Sequence, residues 1–297
     1  MTRREFAVTT AGAAAWQPPG GRFRKGVCQG IFPRDMALGK CFEEAKKAGF
    51  DGIEIPIGGE IKLRSTAEDI QRVRGAARAS GVSFVCVWAS EALSDDWLNS
   101  PEAAVRARGV EGVKRSLEIA QALDCGALLA IPGRLGSGAK LVVGYEDTWK
   151  RCTAEMEKLV PFAAQAQVVL AVENVWNKFL LSPLEMRAFV DQFHSPWVQT
   201  QFDIGNVMQF GYPEDWILTL GRRIRRVHLK DYKLSARAEQ GRFVDLLEGD
   251  VNWKAVMAAL VKVDYRGWVC PEIGHDPKDP DQLRKLSATV DQIIALA

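Results

Sequence analysis

The sequence predicts an α/β protein, a single-domain (β/α)8 TIM barrel over residues 23–297, preceded by a segment, residues 1–22, that stands outside the fold. Three observations predict it. Eight short apolar runs alternate with eight helical patterns over roughly 270 residues, the rhythm of a parallel sheet wound with helices. The turn after the first run reads Phe32-Pro33-Arg34-Asp35-Met36, without the GxGxxG that a doubly wound nucleotide fold carries there. The 297 residues are 47% hydrophobic, enough for one large core.

The elements follow in order. Val27–Phe32 is the first strand, and a helix covers Ala37–Ala48. Gly52–Ile57 is the second strand; Thr66–Ser80 is a helix with Ile70, Val73 and Ala77 on one face. Val82–Trp88 is the third strand. Pro101 opens a helix to Leu123, since proline's missing N–H costs nothing in a first turn. Ala127–Ile131 is the fourth strand, and the glycine-rich Gly133–Gly138 after it, lacking a Lys-Ser/Thr pair, reads as a loop. A helix spans Asp147–Gln165 and the fifth strand Val168–Glu173. Ser182-Pro183-Leu184-Glu185 is an N-cap, a first-turn proline and a capping-box acid, opening a helix to about Phe193. Trp197–Asp203 is the sixth strand, Tyr212-Pro213-Glu214-Asp215 starts the sixth helix, and Ile224–Lys230 is the seventh strand. Leu234–Gly249 reads as a long loop. Asn252 caps a helix, Gly267–Glu272 is the eighth strand, and Asp279–Ala295 is the last helix.

Composition narrows the function. Lys and Arg number 39 against 37 Asp and Glu, too even a balance for nucleic acid. No run of 18 apolar residues is present, so stable membrane insertion is not expected. Six cysteines form no CxxC pair, and three histidines cannot build a His-rich metal cluster. Cys28 and Cys270 fall on the first and last strands, neighbours in a closed barrel, and read as buried free thiols. At the N-terminus, Thr2-Arg3-Arg4-Glu5-Phe6, an apolar stretch and Ala13-Ala14-Ala15 have the order of a twin-arginine export signal, and Gln17-Pro18-Pro19-Gly20-Gly21 reads as a linker. The expected location is periplasmic if that signal operates and cytoplasmic if the segment is only a frayed tail.

The chemistry sits at the strand ends, because barrel enzymes draw catalytic side chains from the C-terminal ends of their strands. Strand two offers Glu54, three Trp88, five Glu173, six Asp203, seven His228 and eight Glu272. Any one of these alone is ordinarily a solvated carboxylate or a structural histidine. Four ligand types on four successive strands are another matter. Three carboxylates at one mouth repel each other unless a cation stands between them. Glu173, Asp203, His228 and Glu272 form a mostly oxygen site suited to one divalent metal ion: Mn²⁺, Mg²⁺, Co²⁺ or Zn²⁺. Lys230 follows His228 by two and points the same way, toward a substrate oxygen or the carboxylates. Trp88 is a candidate wall for a sugar face.

Several segments together resemble the xylose-isomerase-like sugar phosphate isomerase/epimerase family: Gly49-Phe50-Asp51-Gly52-Ile53-Glu54, Ala171-Val172-Glu173-Asn174, Phe202-Asp203-Ile204-Gly205-Asn206, Val227-His228-Leu229-Lys230-Asp231 and Pro271-Glu272. The stretch Glu173–Pro183 is most similar to members called hexulose-6-phosphate isomerases or L-ribulose-5-phosphate 3-epimerases. The resemblance implies a catalytic metal held by Glu173, Asp203, His228 and Glu272, with Glu173 and Glu272 also moving protons through an enediolate. It places Glu54, Trp88, Asn206 and Lys230 as substrate contacts. The expected partner is a small sugar or sugar phosphate, with an oligomer left open. Two positions depart from the free-ketose 3-epimerases of the family: Asn206 stands where they carry His, and Phe179 near where they carry a second acid. An inosose-type dehydratase would use the same metal logic, and a non-catalytic sugar-binding barrel is the reading from another class. The apurinic endonucleases of a related branch need more histidines than this chain has.

Overall fold

The computed structural model describes residues 21–95, 97–237 and 240–297. The twin-arginine motif lies outside the described residues. Eight parallel strands close into a barrel in the order β1-β8-β7-β6-β5-β4-β3-β2. They are β1 (Phe23–Cys28), β2 (Gly52–Pro56), β3 (Ser83–Trp88), β4 (Ala127–Ala130), β5 (Val169–Glu173), β6 (Val198–Asp203), β7 (Ile224–Leu229) and β8 (Gly267–Pro271). The helices outside are α1 (Leu38–Lys47), α2 (Ala67–Ala79), α3 (Ala103–Ala122), α4 (Tyr145–Ala166), α5 (Pro183–Asp191), α6 (Pro213–Leu220), α7 (Trp253–Lys262) and α8 (Gln282–Ile294).

Local chemistry sets the helix starts. Thr66 and Ser182 make full capping boxes with Asp69 and Glu185, and the Asn252 side chain accepts from Ala255 N–H. The apolar stripe of each helix then packs against the strands. Fully buried Phe42, Phe50, Phe189 and Phe202 each contribute roughly 1.5–3 kcal/mol by leaving water. Inside the barrel, Val85, Cys86, Ala127, Leu129 and Trp268 form a separate apolar plug. Gly26 and Gly52 make room for it: a Cβ on either would stand 2.6 Å from Val85 Cγ2. The Arg226 guanidinium, inside with the plug, donates through Nε to Val85 O at 2.7 Å.

The structure moves three sequence-based boundaries. The first strand is Phe23–Cys28, and Gln29–Ile31 turns as a 3-10 helix rather than continuing it. Charged Arg24 and Lys25 hid the strand, yet both are accounted for: Arg24 stacks on Trp268 and Lys25 pairs with Asp291. Helix α3 begins at Ala103 behind an Glu102 N-cap, so Pro101 precedes the first turn rather than forming it. The stretch read as a long loop is partly ordered: Arg242–Val244 pairs antiparallel with Asp231–Lys233. The Asp231 carboxylate braces this hairpin, accepting from Tyr232 N–H at 2.8 Å, Leu247 N–H at 2.9 Å and Trp253 Nε1–H at 3.0 Å. A second small ladder joins Gly136–Ser137 to Lys140–Leu141 within the glycine-rich loop after β4. No helix among the described residues is long and apolar enough to cross a membrane.

Candidate metal and catalytic site

Strand register brings the predicted residues together. Glu173 is opposite Gln201, Asp203 opposite His228, and His228 opposite Cys270. Glu272 follows β8 directly, held by its N–H to Leu229 O at 3.1 Å. One ligand atom from each of Glu173, Asp203, His228 and Glu272 lies within 4.8 Å of the others. His228 Nδ1 is the centre of the group, 2.8 Å from Glu173 Oε1, 3.3 Å from Glu272 Oε2 and 3.9 Å from Asp203 Oδ2. Lys230 Nζ reaches Glu272 Oε2 at 2.7 Å and Asp203 Oδ2 at 3.0 Å.

The chain ends of β5 and β6 are pinned by two asparagines. Asn174 exchanges hydrogen bonds with the Asp203 backbone, donating to its O at 2.8 Å and accepting from its N–H at 2.9 Å. Asn206 Nδ2 donates to Asn174 O at 2.9 Å. Asp203 divides its oxygens. Oδ1 accepts from Asn206 N–H at 2.7 Å and caps the short helix Ile204–Val207, while fully buried Oδ2 is ion-paired with Lys230 Nζ at 3.0 Å and faces the other ligand atoms. Three carboxylates converge there beside one lysine ammonium, an arrangement that favours a further positive charge. That observation, with two Glu, one Asp and one imidazole converging, fits a hard divalent cation.

The electrostatics push the two glutamates apart. Burial lifts the Glu173 carboxyl to about 7, despite the His228 charge beside it. Burial acts on Glu272 the same way, but hydrogen bonding and charge from His228 and Lys230 outweigh it and hold that carboxyl down at about 2. Burial also raises Asp203, against the pull of Lys230 and His228. Burial opposes charge on His228, yet the surrounding Glu54, Cys28 and Glu173 raise it well above the usual histidine range.

Behind the imidazole, Glu54, Gln201 and Cys28 surround Nε2. Glu54, only 2% exposed, has Oε1 3.0 Å from His228 Nε2 and accepts from Trp88 Nε1–H. Gln201 Nε2 donates to both Glu54 oxygens at 3.2 Å. Gln201 escaped notice in the sequence, although it precedes Asp203 by two and therefore faces the same way along the strand. A wholly buried amide within a strand was the available signal. Cys28 Sγ is 3.7 Å from both His228 Nε2 and Cys270 Sγ, and both cysteines are free. A cavity of about 240 Å³, bordered by Gln29, Glu54, Trp88, Glu272 and Ile273, opens at this mouth. Above Lys230, Phe243 of the hairpin lies 5.1 Å from Nζ, and Trp176 stacks against Phe243 with ring centroids 5.0 Å apart.

A closed eight-stranded parallel barrel with a buried carboxylate–histidine cluster at its C-terminal mouth defines the class, and the sequence model of one family matches residues 42–292. The chain belongs to the xylose isomerase-like TIM barrel family. It is similar to the L-ribulose-5-phosphate 3-epimerase UlaE of Salmonella paratyphi C, 27% identical over 255 residues that cover 82% of this chain and 86% of that one. Among solved structures, D-psicose 3-epimerase from Clostridium cellulolyticum H10 superposes with a TM-score of 0.75 at 17% identity, covering 92% of this chain and 99% of that one. The 3-keto-D-glucoside 4-epimerase YcjR from E. coli gives 0.73 at 16% identity, covering 92% and 99%. Both superpositions bear on the fold alone.

Proposed function

We propose that the protein is a divalent-metal-dependent epimerase or isomerase of a ketose, free or phosphorylated. The observation that carries this reading is the convergence of Glu173, Asp203, His228 and Glu272 within 4.8 Å. The similarity to an enzyme named L-ribulose-5-phosphate 3-epimerase over 82% of the chain supports the substrate class. The cation these four residues would hold supplies a Lewis acid, which stabilises charge building on adjacent carbonyl and hydroxyl oxygens of a sugar.

The chain's own groups supply the rest. Glu173 of β5 and Glu272 after β8 are the two glutamates placed to take and return the proton next to the carbonyl, as general base and general acid. Lys230 keeps a positive charge beside Glu272 and Asp203. The cavity bordered by Trp88 and Ile273 gives the substrate an apolar wall. Its volume of about 240 Å³ lies below the ~300–1,000 Å³ of drug-sized sites, which suits a monosaccharide.

The test is a panel of ketoses and ketose phosphates incubated in D₂O with Mn²⁺-loaded protein and followed by NMR. Deuterium entering C3 with formation of the epimer supports epimerisation, and entry at C1 with an aldose supports isomerisation. No exchange with any member, by protein that carries its metal, overturns the reading.

A further inference from the structure

We propose that Glu54 is a positioning residue for the metal ligand His228, not a contact for substrate. The proposal rests on the metal-site reading above. Glu54 sits in the middle of β2, on the far side of the imidazole from Glu173, Asp203 and Glu272, and its side chain is 1% exposed although it borders the cavity. Its oxygens take their partners from three other strands: His228 of β7, Gln201 of β6 and Trp88 of β3. Oε1 is shared among all three and Oε2 is held by Gln201 at 3.2 Å, which fixes the imidazole from behind.

The position of the His228 ring proton decides what Glu54 can do. His228 Nδ1 faces the three carboxylates, so as a ligand it must present its lone pair there. The proton then belongs on Nε2. The groups around Nε2 are Glu54 Oε1 at 3.0 Å, the Gln201 amide nitrogen at 2.5 Å and Cys28 Sγ at 3.7 Å. Of these, the amide nitrogen is a donor and the thiol a weak acceptor, which leaves the Glu54 carboxylate as the group able to receive the proton's hydrogen bond. A carboxylate in that place sets the tautomer, locks the ring plane and makes Nδ1 a stronger donor to a cation. Gln201 and Trp88 in turn hold the carboxylate. The histidine of the cluster is therefore aimed by a residue 174 positions away in sequence.

The experiment is Mn²⁺ titration of the metal-stripped protein, by calorimetry, for wild type, Glu54→Gln, Glu54→Leu and His228→Ala. Circular dichroism checks folding, and the Co²⁺-loaded forms give visible spectra. Glu54→Leu keeps the bulk but removes the acceptor, and Mn²⁺ affinity should fall about 10–100-fold. Glu54→Gln keeps an acceptor oxygen and should recover part of that loss while still binding several-fold more weakly than wild type. The Co²⁺ spectrum should change in the Leu variant and less in the Gln variant. A folded Glu54→Leu protein that binds Mn²⁺ as wild type does overturns the proposal. If that variant does not fold, wild-type affinity and an unchanged Co²⁺ spectrum in Glu54→Gln overturn it instead. Failure of the wild type to bind one Mn²⁺, or full binding by His228→Ala, removes the metal site itself and with it the basis of the proposal.

Discussion

Lys230 Nζ lies 2.7 Å from Glu272 Oε2, at the rim of a cluster of three carboxylates. The same ammonium is 3.0 Å from Asp203 Oδ2, so one cation spans two strand ends that would otherwise repel. Burial works against the Lys230 charge, but Asp203 and Glu272 more than compensate and raise its pKa. Lys230→Met should therefore release the Glu272 carboxyl from its low value. An adjacent opposite charge shifts a carboxyl by about 1–3 units, so the acid limb of kcat/KM should move up by that order. Lys230→Arg should move it little. A pH–rate profile of Lys230→Met that overlays wild type would show that this ammonium does not govern Glu272.

The metal-free protein should lose stability as pH rises from 5 to 8. Glu173, Asp203 and His228 all hold protons more tightly folded than unfolded. Their contribution is fully present below the unfolded values, 4.5 for Glu173 and 6.5 for His228, and is lost as pH climbs through the folded ones. Glu272 has the opposite sign, but its window lies between about 2 and the unfolded 4.5, below this range. A bound divalent cation takes the place of those protons, so its stabilisation should grow with pH. Calorimetry in chelator and in excess Mn²⁺ checks both statements. A chelated protein whose Tm climbs from pH 5 to 8 contradicts them.

The barrel and the carboxylate–histidine cluster at its mouth were legible because the strands carry a periodic signal. Apolar runs of five to seven residues, each followed by a helical stripe, mark strands buried on both faces. Glu173, Asp203, His228 and Glu272 stand where those runs stop. What escaped was set by tertiary contact. The Phe23–Cys28 strand contains Arg24 and Lys25, whose charges are met by Trp268 on the neighbouring strand and Asp291 on α8. The Asp231–Val244 hairpin is too short to show alternation and depends on the Asp231 carboxylate for its shape. Gln201 is an ordinary polar residue until β6 brings it beside Glu54 at His228 Nε2, and the sequence marked Glu54 only as a strand-end carboxylate and substrate contact. No local pattern encodes a contact between residues 147 positions apart.

Gly205 should tolerate no side chain. It follows Asp203 by two, in the turn that starts the short helix after β6. A Cβ there would lie 2.8 Å from both Lys230 O and Lys230 Cβ, and the backbone just after β7 cannot step aside as a flexible side chain could. Gly205→Ala should cost about 1–3 kcal/mol by overpacking and displace Lys230 from Glu272. Denaturant unfolding and a pH–rate profile read the two effects. An alanine variant as stable and as active as wild type would show that the β6–β7 junction yields.

We propose from the Arg3-Arg4 pair that the chain is exported already folded. Replacing both by Lys should keep the protein in the cytoplasm, while the wild type is recovered outside it and shortened near Ala15. Cell fractionation with mass spectrometry of the purified chain provides the check. A wild type found at full length in the cytoplasm alone would count against the signal.

The division of labour between Glu173 and Glu272 gives the sharpest test of mechanism. Burial lifts one carboxyl to about 7, and His228 with Lys230 holds the other near 2 against the same effect of burial. In an epimerisation each serves one face of the reacting carbon, one removing a proton and the other returning one. A Gln replacement keeps an oxygen for the cation and deletes the proton carrier. Glu173→Gln and Glu272→Gln should both lose turnover by ~10²–10⁴-fold, the usual worth of positioned acid–base groups. One of them should still exchange the substrate proton with D₂O from its own face, since half the reaction survives. Isomerisation moves a proton between neighbouring carbons and needs one carrier, so there the second glutamate would matter through the metal and excess Mn²⁺ would restore its variant. Equal losses that metal does not relieve, with no one-sided exchange, would support neither scheme and would favour loss of a β-hydroxyl, the dehydratase reaction, on the same four ligands.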